Sequence, residues 1–65
     1  MNPTFYELTP DLCGSIIRNP KGGCITSTFH KPSGQVLYGF EPDWEAALSW
    51  LDAAKLIYAN PEGGA

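Results

Sequence analysis

Residues 24–40, CITSTFHKPSGQVLYGF, predict a β-hairpin, and this hairpin determines what the rest of the chain has to supply. Two runs rich in β-branched and aromatic residues flank KPSG, a four-residue connection with Pro and Gly placed as a type I-like turn prefers. Such a turn pairs His30 with Gln35. The same register then pairs Phe29 with Val36, Ser27 with Tyr38, and Ile25 with Phe40. Because a lone hairpin is only marginally stable in water, further strands and a covering layer are required.

Two preceding segments extend the hairpin into a sheet. CGSIIR is predicted as a strand that the turn NPKGG, at 19–23, joins to the hairpin. Residues 1–12 form an extended arm whose TFYEL run is bracketed by Pro3 and Pro10, which suits an edge strand. The expected sheet over 13–40 is therefore three-stranded and antiparallel, with the arm as a candidate fourth strand.

A C-terminal helix is predicted to cover the sheet. Asp43 is a suitable N-cap directly after Pro42, and apolar residues recur with helical spacing over 43–59. NPEGG ends the helix and leaves 60–65 as a frayed tail. The apolar stripe consists of Trp44, Ala47, Leu48, Leu51, Ala54 and Tyr58. The expected fold is α+β, with one antiparallel sheet packed on one helix in a single small domain over 1–65.

Alternation along the strands divides their side chains between two faces of the sheet. The more apolar hairpin set is predicted to face the helix: Ile25, Ser27, Phe29, Val36, Tyr38 and Phe40. The opposite, open face then carries Arg18, Thr26, Thr28, His30, Gln35 and Leu37. Because one helix covers only one face, this second face is expected to meet solvent or a partner.

The helix has a second apolar flank beside its stripe. Trp50 and Ile57 lie about 100° away from the stripe, beyond the width that a three-stranded sheet covers. Either the arm folds over this flank, burying Phe5, Tyr6 and Leu8, or the flank is an interface. The first arrangement is preferred because those arm residues otherwise lack a place to be buried.

Composition excludes several classes of function. The hydrophobic content of 43%, with eight aromatic residues, argues against disorder. A formal net charge of −3, from seven acidic and four basic residues, weighs against non-specific nucleic-acid binding. The N-terminus lacks a signal pattern and no stretch is long enough to span a membrane, so a cytoplasmic location is expected.

The two cysteines, Cys13 and Cys24, are predicted to be free thiols. With NPKGG as a hairpin turn, Arg18 faces Cys24, while Cys13 lies near Phe29 at the other end of the ladder. The separation is about five residues, or roughly 17 Å at ~3.3 Å per residue, whereas a disulfide needs Cα atoms closer than about 7 Å. Free thiols fit a reducing compartment.

Catalysis and metal binding find little support in the sequence. Cys24 and His30 share a face, but at roughly 20 Å apart they are too distant to act as nucleophile and base. Two Cys and one His also lack the close spacing of zinc ligands. We therefore expect no enzymatic activity, no metal and no cofactor.

The segment GSIIRNPKGGCITSTFHKPSGQVLYGFEPDWEAALSWLDAA resembles the N-terminal arm-binding domains of phage-type tyrosine recombinases, which have an AP2-like fold. The similarity lies in GSI at the first strand, the Gly-rich turn, PSG in the second turn, and a Phe followed by EAALSWL. The resemblance implies that the open sheet face enters the DNA major groove. The implied base-reading residues are Arg18, Thr26, Thr28 and His30, with Lys21 and Lys31 on phosphates.

The same plan is also similar to small phage-encoded inhibitors, including some anti-CRISPR proteins. Because the chain begins at Met1 without an attached effector domain, a free-standing regulator is expected rather than a recombinase arm. The leading hypothesis is a regulator or inhibitor of viral or mobile-element type that occludes a surface on a larger host protein. Its candidate contact residues are Arg18, Lys21, Thr26, Thr28, His30, Lys31, Leu37 and Trp50. An AP2-like DNA-binding module is the alternative, and a homodimer joined through an edge strand or the helix flank is a third possibility.

Overall fold

The computed structural model describes residues 2–59, so the predicted frayed tail at 60–65 lies outside the described residues. The elements are β1 (Thr4–Thr9), β2 (Leu12–Arg18), β3 (Cys24–His30), β4 (Gln35–Glu41) and α1 (Trp44–Ala59). The strands form one antiparallel sheet in the order β1-β2-β3-β4. The predicted α+β class is confirmed, and the N-terminal arm supplies the fourth strand.

The predicted register of the central strands is also confirmed. His30 pairs with Gln35 across the β3–β4 turn, and Arg18 pairs with Cys24 across the β2–β3 turn. The first of these turns ends at Gly34, whose φ of 73° lies in the left-handed region that glycine adopts without strain. Its N–H donates to the carbonyl of His30 at 2.8 Å and so closes the turn.

The assignment of the two sheet faces is wrong in the sequence prediction. Helix α1 covers the face that carries Cys24, Thr26 and Thr28, and the two threonines are only 0% and 2% exposed. The apolar set that was expected beneath the helix, exemplified by Ile25 and Phe29, lies on the opposite face and is exposed. The open face is therefore the apolar one.

Small residues explain why the helix packs on the threonine face. Gly14 of β2 and Gly39 of β4 both lie on it, and they let the helix approach the strands closely. A Cβ atom on Gly14 would lie 2.8 Å from Cδ2 of Leu51. Leu12 and Ile16 point to the same side, so β2 contributes two fully buried apolar residues there. The buried apolar residues are Leu12, Ile16, Cys24, Ala47, Leu51 and Ala54.

Helix α1 follows its predicted boundaries. The Asp43 carboxylate accepts a hydrogen bond from the N–H of Ala46 at 2.8 Å, which caps the first turn. Most of the predicted stripe is buried or half-buried, but Leu48 is exposed. Among residues 2–59, no helix combines the length and apolar character that crossing a lipid bilayer requires.

Strand β1 covers a different side of the helix from the one predicted. Tyr6 and Leu8 pack against the core and line a shallow groove with Leu48 and Leu51. The flank with Trp50 and Ile57 lies away from this strand, and Ile57 is exposed. The expected burial of Ile57 by the arm is therefore wrong, because the arm extends the sheet at its opposite edge.

Candidate interaction surface

The open face is the sheet surface opposite helix α1. Alternation and register assign to it Phe5, Glu7, Cys13, Ser15, Ile17, Ile25, Ser27, Phe29, Val36, Tyr38 and Phe40. Four members are aromatic and belong to three different strands, so they form one surface only after the sheet has assembled. Hereafter the open face means these eleven residues and no longer the set expected from the sequence.

The aromatic residues expose a large apolar area. Phe5 is 75% exposed, Tyr38 76%, Phe40 63% and Phe29 41%. With about 150–250 Å² for each aromatic side chain, the four together expose about 500 Å². The largest apolar patch of a typical monomeric protein is about 300–600 Å² and is often functional. Ile25 and Val36, which are 38% and 45% exposed, add to this area.

The centre of the open face is shallow and polar. The hydroxyls of Ser15 and Ser27 lie 2.7 Å apart and hydrogen bond to each other across β2 and β3. A depression above them is lined by Phe5, Cys13, Gly14, Ser15, Ser27 and Phe29. Because the two hydroxyls satisfy each other, an apolar group can enter this depression at a lower desolvation cost than over an unpaired hydroxyl.

Charge is sparse on the open face. Within the part of the chain that the structure describes, Glu7 is its one charged side chain. Phosphate contacts, which dominate DNA affinity, require Lys or Arg. The open face thus lacks the cations that a DNA-reading surface needs.

The predicted contact residues do not form one surface. Thr26 and Thr28 lie beneath the helix, and their placement on the open face is wrong because the helix requires the small residues of that side. Their hydroxyls have no hydrogen-bond partner among the described residues. In this fold neither side chain can reach a partner.

Two other predicted contacts, Arg18 and His30, lie at opposite ends of the covered face. The guanidinium of Arg18 lies 4.7 Å from the ring centroid of Trp44, a cation–π contact with the helix. The His30 ring stacks on Tyr58 with 4.5 Å between centroids, and its Nδ1 lies 2.7 Å from the hydroxyl of Ser33. Both side chains therefore connect the sheet to the helix or close a turn, and neither lies on the open face.

The two predicted lysines lie in loops, where both are exposed. Lys21 is in the β2–β3 turn, and its backbone N–H donates to the side chain of Asn19 at 3.0 Å. The ammonium of Lys31 donates to the carbonyl of Pro10 at 3.2 Å, and its backbone N–H donates to the carbonyl of Asp11 at 2.8 Å. Lys31 thus joins the loops at one end of the sheet.

Leu37 lies on the outer strand β4, on the face that the helix covers. Trp50 lies on the helix, against the same strand. Leu37 is on β4 opposite Thr28, and it is 38% exposed. Trp50 is half-buried and packs against the core. The expected placement of Leu37 on the open face is therefore wrong, whereas the expected contact role of both residues stays a prediction.

Metal chemistry finds no support among the described residues, which contain no group of three or more His, Cys, Asp or Glu side chains close enough to hold an ion. Cys13 and Cys24 are free thiols on opposite faces of the sheet. Cys24 is buried in the core cluster with Ile16 and Leu51. Its thiol is thus enclosed by apolar groups.

Comparisons of the chain with protein-family models, with curated proteins and with solved structures each found no match. The physical character of the open face is therefore the observation on which a functional proposal can be based.

Proposed function

We propose that this chain is a small, non-catalytic, cytoplasmic regulator that docks its open face onto an apolar surface of a larger protein and occludes that surface. The observation that carries the proposal is the aromatic surface formed by Phe5, Phe29, Tyr38 and Phe40. Aromatic residues are enriched at the energetic centres of protein interfaces. The similarity in plan to small phage-encoded inhibitors agrees with action by occlusion.

The magnitude of the apolar contact is sufficient for specific binding. Burying about 500 Å² of aromatic surface at ~25 cal/mol/Å² contributes about 12 kcal/mol. Association costs roughly 4–15 kcal/mol in lost translation and rotation, so the rings alone approximately offset that cost. The aliphatic residues of the open face and the apolar area of the partner supply the surplus that appears as affinity.

The charge of the chain indicates the surroundings of the partner's surface. Glu7 lies on the open face, and Glu45 and Asp52 are exposed on the helix. With a net charge of −3, the chain is steered toward surfaces that have a positive potential. The partner is therefore proposed to have an apolar centre surrounded by basic residues.

Site-specific photo-crosslinking in the native host tests this proposal. A photoreactive phenylalanine analogue at Phe40 or Tyr38 is expected to crosslink one larger protein. The matched control is the same analogue at Ile57, which is as exposed as Phe40 but lies on the helix. Equal crosslinking from Ile57, or no protein product from the open-face positions, would contradict the proposal.

The AP2-like DNA-binding alternative has a different signature. It predicts duplex binding whose affinity falls steeply with salt and is lost in the double variant Arg18→Ala, Lys31→Ala. The proposed regulator instead loses its partner in Phe29→Glu and keeps it in that double variant. A fluorescence titration with labelled DNA, beside the same titration with the crosslinked partner, separates the two functions.

A further inference from the structure

The two edges of the sheet differ in how they are protected against strand pairing. Strand β1 follows Pro3, precedes Pro10 and has a register irregularity between Glu7 and Thr9. Prolines and bulges are the devices by which proteins block edge strands. Strand β4 is also followed by a proline, Pro42, but it is regular from Gln35 to Glu41, and five of its seven residues are exposed. The β4 edge is therefore open to another strand.

The hydrogen bonds at the two ends of the β2–β3 ladder identify the unpaired backbone groups of β4. Lys31 N–H donates to Asp11 O, and Asn19 N–H donates to Gly23 O. Because bonded and non-bonded pairs alternate in an antiparallel ladder, the odd-numbered residues of β3 bond to β2 and its even-numbered residues bond to β4. Their partners on β4 are the odd-numbered residues. The even-numbered residues thus direct their N–H and C=O groups to the free edge: Val36, Tyr38 and Phe40.

We propose that the β4 edge pairs antiparallel with β4 of a second copy of this chain, around a two-fold axis at Tyr38. In this register Tyr38 faces Tyr38 of the second copy, and Val36 faces Phe40 of the second copy. All the outward N–H and C=O groups of these residues are then paired. Tyr38 is the central residue of β4, and its N–H and C=O groups point outward. A two-fold axis at this residue therefore pairs all seven residues of β4 with those of the second copy.

The side chains of β4 are complementary to themselves in this register. Gln35 of each copy faces Glu41 of the other copy, so the two Glu41 carboxylates do not face each other. Val36, Tyr38 and Phe40 meet on the open face, and aromatic and β-branched cross-strand pairs stabilise sheets. Leu37 faces Gly39 of the second copy, on the covered face where the indole of Trp50 lies against that glycine. This self-complementarity of β4 is why a second copy is the proposed occupant.

The axis runs perpendicular to the sheet, so both helices lie on one side of an eight-stranded sheet, twice the four strands of one chain. The two open faces then join into one continuous apolar surface across the new strand pair. This inference does not depend on the proposed function, since pairing uses the edge of β4 and leaves the open face of each copy available.

Amide hydrogen exchange over a concentration series, combined with sedimentation of the full chain, tests the pairing. As the dimer forms, exchange of the Val36, Tyr38 and Phe40 amides is expected to slow by at least tenfold. The Leu37 and Gly39 amides serve as internal controls because β3 already bonds them at every concentration. A monomer throughout, or a dimer in which the even-numbered amides exchange at unchanged rates, overturns the proposal.

Charge variants test the register itself. Gln35→Glu keeps an acceptor for the Tyr58 hydroxyl, which donates to Gln35 at 2.6 Å, so the fold is expected to persist. It places two carboxylate pairs face to face in the dimer and is expected to weaken association by about twofold to thirtyfold. Adding Glu41→Lys to this variant creates opposite charges and is expected to restore association. Equal association of all these variants overturns the register.

A variant of β3 distinguishes this inference from the proposed function. Phe29→Glu lies on the open face but not at the edge, so it is expected to abolish partner binding and leave dimerisation unchanged. Loss of the dimer in Phe29→Glu would instead indicate face-to-face packing of two copies and would overturn the edge pairing. Pairing of β4 with a partner's strand, seen as protected even-numbered amides only in the presence of that partner, overturns the choice of a second copy.

Discussion

The indole of Trp50 lies against the backbone of Gly39, so closely that a Cβ atom on this glycine would be 2.5 Å from Nε1 and Cε2 of the ring. An indole is rigid and cannot yield locally as an aliphatic chain end does. We therefore expect Gly39→Ala to lower the free energy of unfolding by about 1–3 kcal/mol. Urea denaturation followed by tryptophan fluorescence measures this change.

Gly14→Ala is the matched control for this contact. Its added methyl group would meet Cδ2 of Leu51, the end of a flexible side chain, at 2.8 Å, and the backbone carbonyl oxygen of Ser27 at 3.2 Å. A smaller loss of stability is expected than in Gly39→Ala. If the two alanine variants lose the same free energy, the Trp50 contact does not have the proposed rigidity.

The local elements and the register of this fold could be predicted because they depend on short-range chemistry. The NPKGG and KPSG turns set the pairs Arg18–Cys24 and His30–Gln35, and Asp43 sets the start of the helix. Each of these features depends on residues within a few positions of one another. Sequence reasoning is strongest for such features.

The choice of face could not be made from apolar content, because both faces of this sheet are apolar. Ile25 and Phe29 favour one face, whereas Leu12 and Ile16 on the neighbouring strand favour the other. The missed signal was the position of Gly14 opposite Thr28, with Gly39 opposite Thr26. Glycine inside a strand often marks the close approach of another element.

The predicted contact surface depended on the choice of face. Thr26 and Thr28 were selected because they shared a face with Arg18 and His30, and that face is the covered one. The aromatic residues of the open face were missed because they had been assigned to the core. Strongly apolar residues on both faces were themselves a sign that one apolar face would stay exposed, because a single helix covers only one face.

The buried hydroxyl of Thr28 leads to a prediction of increased stability. This oxygen is buried without a hydrogen-bond partner among residues 2–59, as is that of Thr26. Leaving a buried polar group unsatisfied costs about 1–3 kcal/mol. Thr28→Val keeps the branched shape and is expected to raise the free energy of unfolding by about 1 kcal/mol, measured by urea denaturation.

The hydroxyl of Thr9 provides the comparison, since it accepts a hydrogen bond from the N–H of Asp11 at 3.2 Å. Thr9→Val is expected to leave stability unchanged or to reduce it. A decrease in stability in Thr28→Val, similar to that in Thr9→Val, would mean that the Thr28 hydroxyl is hydrogen bonded after all.

Truncations on the two faces are expected to differ strongly. Leu12 is fully buried beneath the helix, so Leu12→Ala is expected to cost about 2–5 kcal/mol. Phe40 is exposed on the open face, and Phe40→Ala is expected to cost less than about 1 kcal/mol. Thermal and urea unfolding at concentrations low enough to keep the chain monomeric measure both. If Phe40→Ala lowers stability more than Leu12→Ala does, the apolar hairpin residues lie beneath the helix instead.

The two thiols are expected to react at very different rates, because they lie on opposite faces of the sheet. Cys24 is 1% exposed beneath the helix, whereas Cys13 is half-buried on the open face, with its sulfur 3.9 Å from the carbonyl of Phe29. Under native conditions a thiol reagent should modify Cys13 directly. The thiol of Cys24 becomes accessible only when the structure around it unfolds locally, so it should react at least about a thousandfold more slowly.

The adduct at Cys13 also provides a readout of the open face. A bulky group there fills the depression beside Ser15 and Ser27 and is expected to abolish partner binding, while Cys13→Ser treated with the same reagent keeps it. Bound partner is expected to slow the labelling of Cys13. Mass spectrometry of peptides taken over a time course measures the labelling at both sites. Labelling of Cys24 as fast as Cys13 would contradict the face assignment, and full binding by the Cys13 adduct would contradict docking through the open face.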